Sequence, residues 1–224
     1  SMSYFERLML QCQANNWLHA IEILSHQGRM HQDIMSFVSN QFYNDQLKVI
    51  PTLKRLVADI DRTLFPLHKF PKRLLFIPSK LAKQTNWKTN HDEAEKVVQI
   101  IEDIIGNYKL KGKEIVSQSI GVITPYRAQI ALIKSLLPSE YPITVDTVER
   151  YQGSARDIIL FSTCTSTQAQ LERLVSISQD GIDRKLNVAI TRAREIFILI
   201  GNEEILSHDA TYKKLISVSA KIHL

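Results

Sequence analysis

Cysteine is scarce. The chain has two in 224 residues, Cys12 and Cys164, too few for a disulfide framework and too far apart for a metal-ligand spacing. That excludes a small stapled secreted domain, gives no metal site, and points to a reducing, cytoplasmic (intracellular) compartment. No apolar run approaches the roughly 20 residues that cross a bilayer. Glu6 and Arg7 interrupt the apolar stretch that a signal peptide would need, so no membrane partner is expected. Glycine and proline are also sparse, seven of each, which argues against a low-complexity or disordered chain. There is no internal repeat and no spacing that suggests a catalytic triad. The pattern Gly-x-x-x-x-Gly-Lys-Ser/Thr occurs nowhere, so the chain has no phosphate-binding loop of that kind.

What is present reads as an ordinary globular protein, 44% hydrophobic and 23% charged, long enough to bury one sizeable core. Twenty-eight Lys and Arg against 23 Asp and Glu leave a net charge of +5, which favours an acidic partner such as nucleic acid or a nucleotide. Ser1-Met2 reads as an engineered start, so a fragment of a longer protein is expected.

Four short stretches, 74–78, 120–123, 158–162 and 196–200, are continuously apolar, as strands buried on both faces are. Further strands are expected at 21–24 and 143–148. Helical spacing covers about 3–16 (Phe5, Leu8, Met9 and Cys12 on one stripe, Ser3 as N-cap), 32–43, and 91–105 behind the capping-box pattern Asn90-His91-Asp92-Glu93. It also covers a helix to about 137 with Thr124 as N-cap and Pro125 at its first position, then 168–175 and 211–219. Residues 53–64 could be helical, but Pro51, Pro66 and Pro71 break the region 51–73, which reads as a connector or insertion between a leading segment, 1–50, and the remainder, 74–224. Alternating strands and helices give an α/β class: three layers, a mostly parallel central sheet, helices on both faces. In such sheets ligands sit at the carboxyl ends of the strands, which directs attention to the loops after 24, 123 and 148 and to the turn before 196.

That last turn carries Asp183-Arg184-Lys185-Leu186-Asn187-Val188-Ala189-Ile190-Thr191-Arg192-Ala193-Arg194. Read as a helix, it packs Leu186, Ala189, Ile190 and Ala193 and sends at least one of Arg192 and Arg194 outward. A guanidinium on a rigid support is well suited to clamp a phosphate, because its planar fork stays charged and donates two hydrogen bonds at once.

The loops also carry Gln27-Gly28-Arg29-Met30-His31, Gly121-Val122-Ile123-Thr124-Pro125-Tyr126-Arg127-Ala128-Gln129 and Thr147-Val148-Glu149-Arg150-Tyr151-Gln152-Gly153. With Leu186–Arg194 these four motifs, in this order, resemble the second (C-terminal) RecA-like domain of superfamily 1 helicases, in the up-frameshift-like branch. The resemblance covers about 3–219 and fits least well at 48–72. It implies a RecA-like, P-loop NTPase-type fold and a motor that hydrolyses ATP with Mg²⁺ between two such domains while tracking single-stranded DNA or RNA. An N-terminal RecA-like domain, not contained in this chain, would supply the phosphate loop and the Mg²⁺ carboxylates. Asp92-Glu93-Ala94 superficially matches a metal motif, but it opens a helix and reads as capping.

By the same resemblance, Arg192 and Arg29 are the catalytic arginines that reach the γ-phosphate. Gln27, Gln152, Gly153 and, in a supporting role, Arg194 lie on the nucleotide side. Thr124, Pro125, Tyr126 and Thr147 lie along the nucleic-acid backbone. The sequence departs from the family pattern in four places: Gly28 stands where an aromatic usually lies against adenine, Gln32 where a proline stands, Ala155 where a glutamate stands, and Glu149 for aspartate. The leading expectation is the C-terminal motor domain of an ATP-dependent helicase or translocase, inactive in isolation. The alternative is a degenerate, non-hydrolysing nucleic-acid-binding module.

Overall fold

The apolar strands find burial on both faces because they lie side by side in one parallel sheet. A computed structural model describes residues 4–22, 24–57, 72–82, 88–151, 153–175, 177 and 182–224. Its six-stranded sheet runs in the order β5 (Thr144–Asp146), β4 (Ile120–Ile123), β6 (Arg156–Ser162), β7 (Ala193–Gly201), β3 (Leu74–Pro78), β8 (Ala220–Lys221), with every pairing parallel. Side chains alternate across it. Leu74, Phe76, Ile159, Phe161, Phe197 and Leu199 enter one core beneath α2 (Gln32–Phe42), α6 (Arg184–Ile190) and α8 (Ala210–Val218). Leu75, Ile77, Ile158, Leu160, Ile196 and Ile198 enter the other, against α3 (His91–Leu110) and α4 (Arg127–Leu136). The period-2 alternation of a strand makes one apolar run serve two cores. The expected three-layer α/β architecture is the observed one.

Several local expectations change. Of the strand expected at 21–24, residues 21, 22 and 24 are not in a strand and Ile23 lies outside the described residues. A strand forms at β1 (His26–Gln27), inside what read as a polar loop, and pairs with β2 (Lys48–Val49). The backbone ladder decides this: Lys48 N–H donates to the Ser25 carbonyl and Ile50 N–H to that of Gln27. The first helix, α1 (Tyr4–Ala14), exists, but its apolar stripe is not packed; Tyr4 and Phe5 are each 70% exposed. Ser3, its expected N-cap, lies outside the described residues. Of the helix considered for 53–64, residues 54–56 form a 3₁₀ turn and 58–64 lie outside the described residues.

Thr124 does not cap the next helix. Its N–H donates to the Asp146 carbonyl at 3.2 Å, prolonging the strand pairing, so α4 begins only after Tyr126 in extended backbone, and Pro125 precedes it. The Asn90 box is half formed. Asn90 accepts from the Glu93 N–H at 3.1 Å, but the fully buried Glu93 takes only a long 3.5 Å contact from the Asn90 side-chain amide and leaves the Asn90 backbone N–H to Gln129. The Asp183-capped helix ends at Ile190. Ala193 is buried as expected, but in β7, because the Arg156 N–H bonds the Arg192 carbonyl at 3.0 Å and draws 192–194 into the sheet.

Gly121 marks a very close approach in the sheet. A Cβ there would collide with the Tyr151 hydroxyl and lie 2.9 Å from Cγ of Arg156. Tyr151 is itself fixed, its hydroxyl donating to the Thr144 carbonyl at 2.6 Å. Overpacking of this kind costs about 1–3 kcal/mol, so Gly121→Ala is expected to lower the free energy of unfolding by that amount, read as a lower urea midpoint. An unshifted midpoint would show that Tyr151 yields freely.

Candidate functional site

The motif residues divide between the two ends of the sheet. At the carboxyl ends of β4 and β5, Thr124 and Thr147 meet: the Thr124 N–H bonds Asp146, and the Thr147 N–H is held by the Asp146 side chain at 2.8 Å. Pro125, Tyr126 and Thr147 are half-buried at this edge. Burial raises the Tyr126 hydroxyl above its usual range, so it stays protonated as a donor. Thr124 is completely buried, and its hydroxyl has no hydrogen-bond partner among the described residues.

The other two motifs lie at the amino ends of β6 and β7, not at the carboxyl edge expected for every ligand loop. The chain after β5 explains this, because it crosses from the end of one parallel strand to the start of the next. Thr147 stands on one edge, and Gly153 arrives at the other with φ +86°, a conformation favourable to glycine. Gln152, between them, lies outside the described residues. The His31 N–H donates to the Arg194 carbonyl at 2.8 Å, tying the 27–31 loop to the same edge. There Gly28, Arg29, Arg55, Gln118, Gly153–Arg156 and Arg194 line a polar cavity of ≈ 490 Å³.

Arg192 and Arg29 converge beside this cavity on one residue. Arg29 Nη1 donates to the Thr191 carbonyl and Arg192 Nη2 to the Thr191 hydroxyl, each at 3.2 Å. Arg192 Nε reaches the Val188 carbonyl at 3.2 Å and Nη1 the Ser154 carbonyl at 3.5 Å. Among the described residues neither guanidinium has a carboxylate within ion-pair distance. Arg192 is only 9% exposed; burial, and then the neighbouring Arg29, pull its pKa below the usual arginine range. Two like charges held together without an acid are costly unless something anionic joins them.

Arg194 differs. It pairs with Asp157 at 3.3 Å and reaches Gln118 at 3.4 Å, and so serves as a brace on the cavity wall. Gln27 turns inward, its amide accepting from the Arg29 and Met30 N–H groups and donating to the Met30 carbonyl, so it shapes the loop that carries Arg29.

Sequence reasoning missed three groups. Arg156 stacks 5.6 Å from the Tyr151 ring centre and reaches Thr144 at 3.2 Å; a charged residue opening an apolar strand was the available signal. Arg55 sat in the unreadable 51–73 region. Glu93 joins α3 to the ends of β3 and β6, accepting from the Ser162 hydroxyl at 2.7 Å, the Cys164 N–H at 2.8 Å and the Ser79 hydroxyl at 3.2 Å. Burial drives its pKa up to about 7 against those three hydrogen bonds.

A second cavity, ≈ 480 Å³, lies between α2 and α8, with Phe37, Leu74 and Val218 among its walls. It includes no motif arginine, and its Arg73 is already engaged by Glu195 and Asp33.

A family model described as an AAA domain matches residues 1–204. Over 208 residues the chain is 31% identical to an uncharacterised ATP-dependent helicase of Methanocaldococcus jannaschii, covering 87% of this chain and 28% of that protein. It is 31% identical over 235 residues to helicase sen1 of Schizosaccharomyces pombe, covering 96% and 13%. With the probable helicase senataxin of Homo sapiens it shares 30% over 229 residues, covering 98% and 8%. The chain therefore spans less than a third of the length of these curated relatives.

Proposed function

The chain belongs to that AAA-domain family as a C-terminal RecA-like domain of the superfamily 1, up-frameshift-like helicase branch, and from this premise we propose that it is one half of an ATP-dependent helicase or translocase motor. The observation that carries the proposal is the pair Arg29 and Arg192, packed against one threonine with no acid paired to either among the described residues. Phosphoryl transfer spreads negative charge over the equatorial oxygens of the transferred group, and a positioned guanidinium stabilises it. In this reading Arg192, held by three carbonyl and hydroxyl oxygens, is the more rigid finger and Arg29 its partner. Gly153, with its positive φ, forms the turn beside the nucleotide, and Gln152, outside the described residues, is the expected neighbour on the nucleotide side. Mg²⁺ and the β-phosphate are held by an N-terminal RecA-like domain of the same protein, as this chain contains no phosphate loop.

The opposite edge contacts the backbone of single-stranded DNA or RNA through the half-buried Pro125, Tyr126 and Thr147, while Thr124, completely buried, shapes that edge through its bond to Asp146 rather than touching the strand. The segment 147–156 spans both edges, and so gives the nucleotide and the strand a short physical connection. Backbone contacts release counterions, with a slope of about −0.7 in log K against log salt per single-strand phosphate neutralised. Single-strand binding by this chain is therefore expected to weaken steeply with salt in a fluorescence anisotropy titration, and a flat salt profile would overturn the assignment.

The second reading, a binding module without hydrolysis, is favoured by one observation. The space beside Gly28 is filled by the Ile50 and Leu53 side chains, each 3.1 Å from where a Cβ would sit. A protein with both RecA-like domains that binds single strands but never turns over ATP would select it.

A further inference from the structure

The arginine-lined cavity has a wall that none of the four motifs supplies. After β2 the chain turns through Lys54–Leu56, and Ile50 and Leu53 pack over Gly28. This seats Arg55 at the cavity, with Nη2 donating to the Gly28 carbonyl at 2.6 Å and Nη1 to the Arg29 carbonyl at 3.4 Å. Among the described residues the nearest carboxylate, Glu195, is 4.0 Å away and is already held at 2.6 Å by Arg73, whose side chain is almost wholly buried. The charge of Arg55 is thus only loosely balanced, and with 48% of the side chain exposed it remains reachable. Around it stand Arg29, Arg156, Arg194, Gln118 and Ser154, with no aromatic or long apolar side chain in the lining. Such a wall suits phosphate oxygens and presents no aromatic ring to a nucleobase.

We propose that Arg55 is a further phosphate-binding residue of this site, contributed by a segment outside the sheet, and that the cavity takes the polyphosphate chain of a nucleoside triphosphate. The inference rests on the nucleotide-site reading above and deepens it. While the cavity is free, Arg55 uses its donors on the Gly28 and Arg29 carbonyls; a bound phosphate would offer charged acceptors in their place. Charge-assisted hydrogen bonds are the stronger kind, so the exchange favours the ligand.

The test uses the protein with both RecA-like domains and measures equilibrium binding of ATP and of inorganic tripolyphosphate. Arg55→Ala is expected to weaken both by about tenfold, the scale of one charged hydrogen bond. Arg55→Lys, which keeps the charge, is expected to recover part of each loss. In an Arg29→Ala background Arg55→Ala is expected to cause a further loss, since a direct contact to the phosphate persists when the Arg29 side chain is gone. That loss need not equal the first, because the two residues are neighbours. No further loss in that background would mean that Arg55 merely holds the loop of Arg29, and would overturn the proposal. A loss for ATP with tripolyphosphate unaffected would assign Arg55 to the base and overturn it as well. Binding untouched by Arg55→Ala overturns this inference alone; a wild-type protein that binds neither ligand overturns the nucleotide-site reading together with it.

Discussion

Arg192→Ala, in the protein that carries this chain together with its other RecA-like domain, is expected to cut nucleic-acid-stimulated ATP turnover by about 10³-fold or more, the range in which a single arginine finger acts. The fold should survive. Among the described residues the Arg192 side chain bonds only the Val188 and Ser154 carbonyls and the Thr191 hydroxyl, so its removal leaves no carboxylate there unpaired. It also relieves the repulsion from Arg29 that helps to pull its pKa down. Thermal unfolding of the variant should therefore stay within a few degrees of the parent while the steady-state rate collapses. Arg192→Lys is expected to rescue little, because an ammonium cannot reproduce a fork already oriented by three acceptors. Turnover that is undiminished in the alanine variant would remove Arg192 from the chemistry. Turnover and melting temperature falling together would make it a structural residue.

The two features behind that expectation were not equally legible in the sequence. The strands were readable because each is an apolar run that must be buried on both faces, and the structure splits each between two cores. The helix end at Ile190 was not. The 3.6-residue spacing of Leu186, Ala189, Ile190 and Ala193 continues past it, and only the hydrogen bond from Arg156 to the Arg192 carbonyl, a contact between distant parts of the chain, pulls Ala193 into a strand. The placement of Arg192 beside Ser154 depends on that switch. For the same reason the motif loops do not share one edge of the sheet. Which end of a strand a loop occupies follows from connectivity, and 147–155 runs from one end of the sheet to the other. Arg55 was invisible because its role depends on Ile50 and Leu53 packing over Gly28, in a proline-broken stretch without periodicity. Glu93 was visible but misread. At N3 of a helix a glutamate ordinarily turns back to the cap, and here the buried hydroxyls of β3 and β6 outbid the cap for it.

Glu93 therefore carries the second large expectation, a pH-dependent stability. Its pKa is about 7 in the folded chain against 4.5 for the exposed group, so folding favours the protonated form. Below about 4.5 the carboxyl is protonated in both states and its burial carries no ionic penalty. Between 4.5 and 7 the unfolded chain releases the proton while the folded chain keeps it, and stability falls. Above 7 the folded protein holds a buried anion and the loss is complete, on the order of 3 kcal/mol. Comparison with Glu93→Gln isolates this contribution. Gln keeps one carbonyl oxygen for the Cys164 N–H and can donate its amide to the Ser79 hydroxyl, and it does not titrate. Denaturant unfolding at pH 4.5 and 7.5 should show the stability of the parent dropping relative to the variant by that amount; parallel profiles would mean that another group controls the window. Glu93→Ala should behave differently at every pH. It strands the Cys164 N–H at a residue with φ +49° and the hydroxyls of Ser162 and Ser79, at about 1–3 kcal/mol for each buried group left unpaired. Ser162 also accepts from Gln129 at 3.3 Å, and Gln129 braces the start of α4 and, through it, Tyr126. Loss of Glu93 should therefore weaken single-strand binding at the carboxyl edge while the arginines at the amino edge keep their contacts, a separation that nucleic-acid and tripolyphosphate titrations of the same variant would reveal.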